Sequence, residues 1–219
     1  MSAIRHVIWD FNGTLLDDVD CCVLALNSLL DERALARVSR AQYLERFGFP
    51  VRDFYLALGF DFAREDFERV SDVFIARYTA ALSSAAPVAR ALEALLELQR
   101  RSIAQSVVSA MEQRLLRQLL ERFGLHGYMM HVRGLAHLGA SSKIELGLTL
   151  QRELGLLPEE ILLVGDTLHD FEVASAIGCR CLLYARGHQT RARLEQSGAP
   201  VIDSLDAVLE HVGQGADAP

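Results

Sequence analysis

The sequence lacks any apolar run close to the roughly 20 residues that a membrane-spanning helix needs. Its first residues also lack the apolar segment and the small-residue cleavage site of a secretory signal. These two absences predict a cytoplasmic protein with no membrane partner. Apolar residues nevertheless make up 51% of the chain, which is typical of a globular protein with a substantial core.

Basic residues are in the minority, and lysine is nearly missing. The 22 Lys and Arg residues are outnumbered by 29 Asp and Glu residues, so the net charge is −7. No block of basic residues could neutralise a phosphate backbone, which predicts that the protein has no nucleic-acid partner. Lys143 is the only lysine, and every other fixed cation is an arginine.

Cysteine is also scarce, and its spacing argues against a zinc site. The four residues form one adjacent pair and one pair separated by a single residue: Cys21, Cys22, Cys179 and Cys181. Neither spacing is usual for zinc ligands. Because both pairs lie in apolar stretches, we predict buried free thiols.

The order of apolar segments predicts a parallel sheet with one large insertion. A short apolar run at residues 6–11 is typical of a buried parallel strand. Helical apolar spacing then dominates residues 18–86, where no strand is predicted. Beyond them, helices alternate with short apolar runs, as in a sheet covered on both faces. The predicted fold class is α/β, with a doubly wound, Rossmann-like core at residues 1–17 and 87–219 and an all-helical insertion at 18–86.

Polar residues follow several predicted strands, at the sheet edge where doubly wound folds bind ligands. Beyond the insertion, strands are predicted at residues 103–109, 129–132, 161–165, 181–184 and 201–202, and helices at 88–100, 112–123, 143–154 and 170–177. Asp10 ends the first strand, and Ser109 ends the second. Asp166 and Asp170 follow the strand at 161–165, and Lys143 begins the helix before it. We therefore expect these side chains to converge at one edge of the sheet.

These residues resemble the four motifs of the haloacid dehalogenase superfamily, and the resemblance covers nearly the whole chain. Residues 10–14 read Asp-Phe-Asn-Gly-Thr, similar to the first motif, Asp-x-Asp-Gly-Thr. Ser109 matches the second motif and Lys143 the third. Residues 165–170 begin with Gly-Asp and end with Asp, as in the fourth. The order of the motifs and the position of the insertion resemble members with a helical cap of the first (C1) type. Residues 165–170 (Gly-Asp-Thr-Leu-His-Asp) and 186–188 (Arg-Gly-His) are similar to the phosphoglycolate phosphatase-like branch.

The resemblance implies a Mg²⁺-dependent phosphatase that acts on a small-molecule phosphate ester. Asp10 would attack phosphorus to form an aspartyl phosphate, while Ser109 and Lys143 bind the phosphoryl oxygens. Main-chain N–H groups at Gly13 and Thr14 would add further contacts to the substrate. The implied Mg²⁺ ligands come from four positions, namely Asp10, the backbone carbonyl of Asn12, Asp166 and Asp170.

Two further expectations concern the cap and the assembly. Arg52 follows a Gly-Phe-Pro segment of the insertion and is a candidate for binding a distal anion of the substrate. A solvated arginine explains this residue equally well. The protein is expected to be a monomer or a homodimer.

Asn12 departs from the family pattern, which has a proton-transferring Asp at this position. An amide cannot titrate, and losing such a catalyst typically lowers a rate by about 10²–10⁴-fold. Three explanations remain open. The protein is a slow phosphatase or one whose leaving groups need no proton, such as acyl phosphates. Alternatively, His169 or Asp18 supplies the proton, or the chain is an engineered Asp-to-Asn trap variant. A phosphoester-binding or regulatory module without turnover is the non-enzymatic alternative.

Structural roles compete with the catalytic ones for single residues. Ser109 with Glu112, and Ser142 with Glu145, have the spacing of helix capping boxes. Asp166 could cap the helix that follows it. His169 and His188 are expected at the surface or at the edge of the cap. Because all four motifs occur in order at strand ends, we favour the catalytic interpretation of the set.

Overall fold

A computed structural model describes residues 2–136 and 142–213 of the 219-residue chain. The strands are β1 (His6–Trp9), β2 (Leu16–Asp17), β3 (Ala86–Pro87), β4 (Ala104–Glu112), β5 (His131–Leu135), β6 (Ile161–Gly165), β7 (Arg180–Tyr184) and β8 (Val201–Ile202). Six of them form one sheet in the order β5-β4-β1-β6-β7-β8, and all of its neighbouring strands are parallel. This sheet and the helices around it confirm the predicted α/β fold class.

Helices connect the strands and cover the sheet. They are α1 (Val19–Glu32), α2 (Arg40–Arg46), α3 (Val51–Ala57), α4 (Phe67–Ala81), α5 (Ala91–Arg100), α6 (Gln113–Arg122), α7 (Lys143–Leu154), α8 (Leu168–Ile177), α9 (Arg191–Leu194) and α10 (Val208–His211). In the described part of the chain, no helix is long and apolar enough to cross a membrane.

The central strand β1 has its side chains buried on both faces of the sheet. Ile8 packs with Leu150 of α7 and Val173 of α8 on one face. Trp9 belongs to the larger core on the other face, which includes Leu95 of α5. Alternation along a strand sends successive side chains to opposite faces, so a strand between two helical layers must be apolar throughout.

The strand register brings the ends of three strands to one edge. Trp9, the last residue of β1, pairs with Val107 of β4 and with Val164 of β6. Because the strands are parallel, the residues that follow them emerge at the same edge of the sheet. Asp10 lies at this edge, directly after β1.

Two short antiparallel strands flank the helical insertion. In this ribbon, Leu16 pairs with Pro87 and Asp17 with Ala86, while α1 to α4 lie between β2 and β3 along the chain. The prediction of no strand in residues 18–86 is therefore wrong at Ala86, because a two-residue strand leaves no period in the sequence. The division into a core and a cap domain at these boundaries stays a prediction.

Several element ends differ from the sequence prediction. β4 continues to Glu112 instead of ending at Ser109, and the side chain of Glu112 accepts hydrogen bonds from the first N–H groups of α6. The capping box predicted for Ser109 and Glu112 is therefore wrong. The box formed by Ser142 and Glu145 at the start of α7 is confirmed. Smaller shifts affect β5, α5 and α8, whose beginnings were predicted at residues 129, 88 and 170.

The four cysteines are free, as predicted, although only one pair is buried. Cys21 and Cys22 are buried in α1, whereas Cys179 and Cys181 are partly exposed near β7. The apolar neighbours of all four explain why the sequence pattern did not distinguish the pairs.

A buried polar pair links the sheet to α5 beneath the candidate site. The indole N–H of Trp9 donates to the side-chain oxygen of Gln105 at 3.0 Å, and the Gln105 amide donates to the carbonyl of Leu95 at 2.9 Å. Gln105 is 2% exposed, so no bulk water can replace these bonds. A buried polar group that loses its partner carries its full desolvation penalty.

We predict that Gln105→Leu lowers the free energy of unfolding by about 1–3 kcal/mol, because it leaves the Trp9 N–H without a partner. Gln118→Leu is the matched control, because Gln118 is exposed on α6 and its replacement should change stability by less than about 0.5 kcal/mol. Denaturant unfolding of both variants measures the difference. Equal effects of the two substitutions would contradict the role given to the buried pair.

Candidate active site

Four charged side chains converge at the carboxyl edge of the sheet. The ammonium of Lys143 donates hydrogen bonds to one carboxylate oxygen of Asp10 and to one of Asp170. Asp166 lies beside them and is fully buried, while Asp10 and Lys143 are 6% and 5% exposed. The predicted convergence of these residues is therefore present in the structure.

Local structure explains how Lys143 and Asp170 meet. Lys143 is the first residue of α7, whose start is fixed by the capping box of Ser142 and Glu145. Asp170 lies in the first turn of α8 and accepts hydrogen bonds from the hydroxyl and the N–H of Thr167. A Cβ atom at Gly165 would lie 2.2 Å from the Asp170 carboxyl carbon, so only glycine leaves room for this arrangement.

The three carboxylates form a cluster suited to a divalent cation. One oxygen each from Asp10, Asp166 and Asp170 lies within 4.8 Å of the others, and all three residues are buried. Against three potential negative charges, the cluster contains the single ammonium of Lys143. Mg²⁺ prefers oxygen ligands and commonly binds one or two carboxylates together with substrate phosphate. The donor set therefore fits the predicted metal.

Burial and charge act in opposite directions on these carboxyl groups. Burial raises the pKa of Asp10 to about 6, although the nearby Lys143 opposes the shift. Burial likewise raises the pKa of Asp166 well above its usual range. For Asp170, the effect of burial is outweighed by Lys143, and its pKa lies below the usual value. Asp10 and Asp166 thus lack enough positive charge nearby to offset the cost of their burial.

The turn after β1 contacts the cluster through Thr14. The Thr14 hydroxyl donates to Asp166 Oδ1 at 3.1 Å, and the Gly13 N–H donates to Asp18 Oδ1 at 2.9 Å. Gly13 has a φ of +75°, and a Cβ atom there would lie 2.3 Å from Asp166. Both the backbone conformation and the close approach therefore require glycine at this position.

Asn12 uses its amide group in two contacts with the insertion. Its NH₂ group donates to Asp18 Oδ2 at 2.7 Å and to the Tyr78 hydroxyl at 2.8 Å. Its side-chain oxygen accepts a longer bond of 3.4 Å from Ser109, which is 1% exposed. Asn12 and Ser109 therefore belong to one hydrogen-bonded group beside Asp10, as the motifs predicted.

An Asp18–His188–Tyr43 group was missed by the sequence analysis. His188 Nε2 lies 3.2 Å from Asp18 Oδ1, and its Nδ1 lies 2.9 Å from the Tyr43 hydroxyl. The main-chain N–H of His188 also donates to Asp166 at 2.5 Å. Of the two expected positions, the edge of the cap is the one observed, and the surface is excluded because His188 is only 4% exposed. No local sequence pattern indicated this group, because Asp18 and His188 are 170 positions apart in the chain.

The histidine and the aspartate of this group stabilise each other's charged form. Burial lowers the pKa of His188, but Asp18 outweighs this effect and raises the pKa to about 9. Burial raises the pKa of Asp18, and the contacts with His188 outweigh it, so the net shift is downward. The pair therefore exists as imidazolium and carboxylate near neutral pH.

These contacts bear on two of the alternatives raised by the sequence. Asp166 accepts hydrogen bonds from Thr14 and His188. The N-cap residue of α8 is Thr167, so Asp166 does not cap this helix. His169 is bonded to Glu172 and stacks on Phe49, with the ring centres 4.7 Å apart.

Arg52 lies away from the carboxylate cluster. Its side chain is exposed, and its guanidinium lies 5.3 Å from the centre of the Phe62 ring. It is absent from the described residues that line the cavity at the cluster. The structure therefore does not bring Arg52 together with the other predicted site residues.

A cavity of about 410 Å³ opens from the carboxylate cluster into the helical insertion. The cluster end contains the side chains singled out by the motifs, namely Asp10, Asn12, Ser109, Lys143, Asp166 and Asp170. Cavities of this size commonly hold small-molecule ligands.

Comparison with known proteins assigns the chain to a family. The family model for haloacid dehalogenase-like hydrolases matches residues 7–184. The chain belongs to this family. The match includes all four motif positions, which confirms the resemblance seen in the sequence.

Three individual relatives share between 19% and 26% sequence identity with this chain. The chain is 26% identical to phosphoglycolate phosphatase 1 of Pseudomonas aeruginosa, over 97% of its own length and 81% of the relative's. A predicted phosphoglycolate phosphatase from Haemophilus somnus has a TM-score of 0.75 at 19% identity, with 96% of this chain and 99% of that chain covered. A family hydrolase from Deinococcus radiodurans, which contains bound phosphate and sodium, has a TM-score of 0.76 at 23% identity, with both chains fully covered.

We predict that Gly165→Ala lowers the free energy of unfolding by about 1–3 kcal/mol, because the new methyl group displaces Asp170 from Lys143 and Thr167. Gly127→Ala is the control, since a Cβ atom there would meet nothing within 4 Å. Denaturant unfolding in EDTA measures both changes without a contribution from bound metal. A Gly165→Ala protein as stable as its control would show that the carboxylate does not need this space.

Proposed function

We propose that the protein is a Mg²⁺-dependent phosphatase that hydrolyses a small-molecule phosphomonoester through an aspartyl phosphate on Asp10. The observation that carries the proposal is the contact of buried Asp10 with Lys143, at the end of a cavity that also contains Ser109 and two further carboxylates. A nucleophile, hydrogen-bond donors for a phosphoryl group and metal ligands are thus available within one site.

Asp10 acts as the nucleophile in this proposal. Its carboxylate oxygen attacks phosphorus, which splits one difficult displacement into two easier ones. Lys143 favours the ionised form of Asp10 and orients it by a hydrogen bond. The ammonium has three N–H bonds, of which the described residues use two, so one can bind a phosphoryl oxygen. Ser109 supplies a second donor after giving up its long bond to Asn12.

The proposed metal ligands are the carboxylates of Asp10, Asp166 and Asp170 and the backbone carbonyl of Asn12. When bound there, Mg²⁺ supplies positive charge that lets an anionic nucleophile approach an anionic phosphoester. Thr14 and the N–H of His188 hold the Asp166 carboxylate in place. The Gly13 N–H already donates to Asp18, so Gly13 serves mainly to let the turn pass close to Asp166.

Asn12 limits the rate of turnover in the proposed reaction. Its amide is held by Asp18 and Tyr78 and cannot take or give a proton. The sequence suggested His169 or Asp18 as a replacement for the missing acid/base. His169 is bonded to Glu172 and is not among the described residues that line the cavity. Asp18 is ion-paired with His188. We therefore favour a slow second step over a replaced acid/base.

The relatives support a small-molecule phosphate ester as the substrate. The Pseudomonas aeruginosa relative is a phosphoglycolate phosphatase, and the Deinococcus radiodurans structure contains phosphate. The cytoplasmic location and the monomeric or homodimeric state stay predictions.

A rapid-mixing experiment with p-nitrophenyl phosphate and Mg²⁺ tests the proposal, because this leaving group departs without a proton. We expect a burst near one equivalent of nitrophenol followed by slow turnover. Asn12→Asp should accelerate the slow phase by about 10²–10⁴-fold, and Asp10→Ala should abolish both phases.

Other outcomes separate the alternatives. Fast steady release that is absent in Asp10→Ala would mean a working phosphatase with its acid/base elsewhere. No release from the native chain, restored by Asn12→Asp, would favour a phosphoester-binding module or a disabled enzyme. No release from either protein would contradict the assignment of Asp10.

A further inference from the structure

One wall of the cavity is a face of α4 that is almost entirely apolar. The residues recur at helical spacing and include three aromatic rings: Phe67, Glu68, Ser71, Phe74, Ile75 and Tyr78. The Ser71 hydroxyl is bonded to the carbonyl of Phe67, and the Tyr78 hydroxyl donates to Asp18. These two hydroxyl groups are therefore already used within the protein, while Glu68 is exposed.

A second part of the lining comes from α2, α3 and the segment between them, and Tyr55 of this part contacts Phe67 and Phe74 of α4. Its side chains are apolar or aromatic: Tyr43, Phe47, Phe49, Val51, Phe54 and Tyr55. Several of these rings contact one another, with the ring centres of Tyr43 and Phe47 5.0 Å apart. A substrate's leaving group in this part of the cavity would thus contact mostly aromatic and apolar side chains.

Positive charge is scarce along the part of the cavity that faces the leaving group. Among the lining residues within 2–136 and 142–213, Lys143 is the only lysine or arginine, and it is bonded to Asp10 and Asp170. His188 also lines the cavity, but both of its ring nitrogens already contact Asp18 and Tyr43. The charged residue that the insertion contributes is Glu68, an anion.

These walls disfavour an anionic or strongly polar leaving group. The carboxylate of phosphoglycolate would be desolvated against apolar rings, and the two cations that line the described cavity, Lys143 and His188, already have carboxylate partners. A flat aromatic leaving group would instead bury its apolar surface against the aromatic side chains that line the cavity. An apolar cavity of about 150 Å³ already holds benzene, so about 410 Å³ accommodates an aryl group together with its phosphoryl group.

Asn12 favours the same class independently. A sugar or glycolate oxygen leaves as a strongly basic alkoxide unless an acid protonates it, and the amide of Asn12 cannot do so. A phenolic oxygen leaves as a far weaker base, because the tyrosine phenol has a pKa of about 10. The apolar walls and the missing acid thus select the same leaving group.

We propose that the substrate is an aryl phosphate, the phosphomonoester of a phenolic compound. The inference rests on the proposed function, since it concerns the leaving group of that reaction. The Asp10 carboxylate forms a bond to phosphorus as the bond from phosphorus to the phenolic oxygen breaks, and the phenolate leaves and takes a proton from solvent. Water then attacks the phosphoryl group, its proton passes to solvent, and Asp10 and phosphate are released.

The first test compares kcat/KM for 2-naphthyl phosphate, phenyl phosphate and 2-phosphoglycolate with Mg²⁺. We expect the naphthyl ester to exceed phosphoglycolate by at least about 100-fold and phenyl phosphate by several-fold, because the larger ring buries more apolar surface. Aryl esters are also intrinsically more reactive than alkyl esters, so a variant pair isolates the effect of the cavity.

Ser71→Arg places a cation on the cavity wall, and Thr79→Arg adds the same charge at an exposed position of α4. Ser71→Arg should lower the ratio of naphthyl phosphate to phosphoglycolate activity by at least tenfold, while Thr79→Arg leaves it unchanged. Thermal unfolding confirms that both variants are folded. An unchanged ratio in Ser71→Arg, or equal shifts in both variants, would overturn the proposal.

Calorimetric binding to the Mg²⁺-loaded native chain removes reactivity from the comparison. The probes are 2-naphthylmethylphosphonate, phosphonoacetate and inorganic phosphate. We expect the naphthyl probe to bind at least tenfold more tightly than phosphonoacetate. Equal or tighter binding of phosphonoacetate would overturn the aryl assignment while leaving the phosphoryl site intact. No binding of any probe, together with no hydrolysis by the native or Asn12→Asp chain, would instead reject the proposed function itself.

Discussion

The buried ammonium of Lys143, held between Asp10 and Asp170, is the interaction on which the site depends. One positive charge cannot balance these two carboxylates and Asp166 as well, so the cluster retains excess negative charge in a poorly solvated place. Burial raises the pKa of Asp10 and of Asp166, and the neighbouring carboxylates add to both shifts. A divalent cation would offset this negative charge. The same carboxylates that destabilise the folded chain would therefore favour the binding of a metal ion and, through it, of a phosphoryl group.

The rest of the fold serves to hold that cluster. Parallel strands place Asp10 and Asp166 at one edge of the sheet, and the N-terminal residue of α7 brings Lys143 to them. Gly165 provides the space for the Asp170 carboxylate. The helical insertion then adds Asp18 and Tyr78, which bind Asn12, and the aromatic walls of the cavity. In the proposed reaction, the sheet edge therefore carries out the chemistry at the phosphoryl group, and the insertion selects the leaving group.

Much of this arrangement could be predicted, because strand ends and motif order are visible in the sequence. The parallel sheet and the meeting of Asp10 with Lys143 followed from apolar periodicity and residue type. The ribbon of Leu16–Asp17 with Ala86–Pro87 could not be predicted, because strands of two residues are too short to show a repeating pattern of apolar and polar side chains. For His188, the edge of the cap was predicted but the burial of its side chain was not. Its burial depends on a long-range contact with Asp18, 170 positions away, and no local pattern encodes such a partner.

Thermal unfolding with and without Mg²⁺, on the native chain and on Asp166→Asn, tests the central electrostatic claim most directly. The account predicts that Asp166→Asn is at least as stable as the native chain in EDTA, because it removes an uncompensated buried charge. Mg²⁺ at about 100 times its Kd should stabilise the native chain by roughly 2.7 kcal/mol and Asp166→Asn far less. Asp72→Asn, at an exposed position of α4, serves as the control and should respond like the native chain. If Mg²⁺ stabilises neither protein, or native and Asp166→Asn chains equally, the carboxylate cluster is not the metal site.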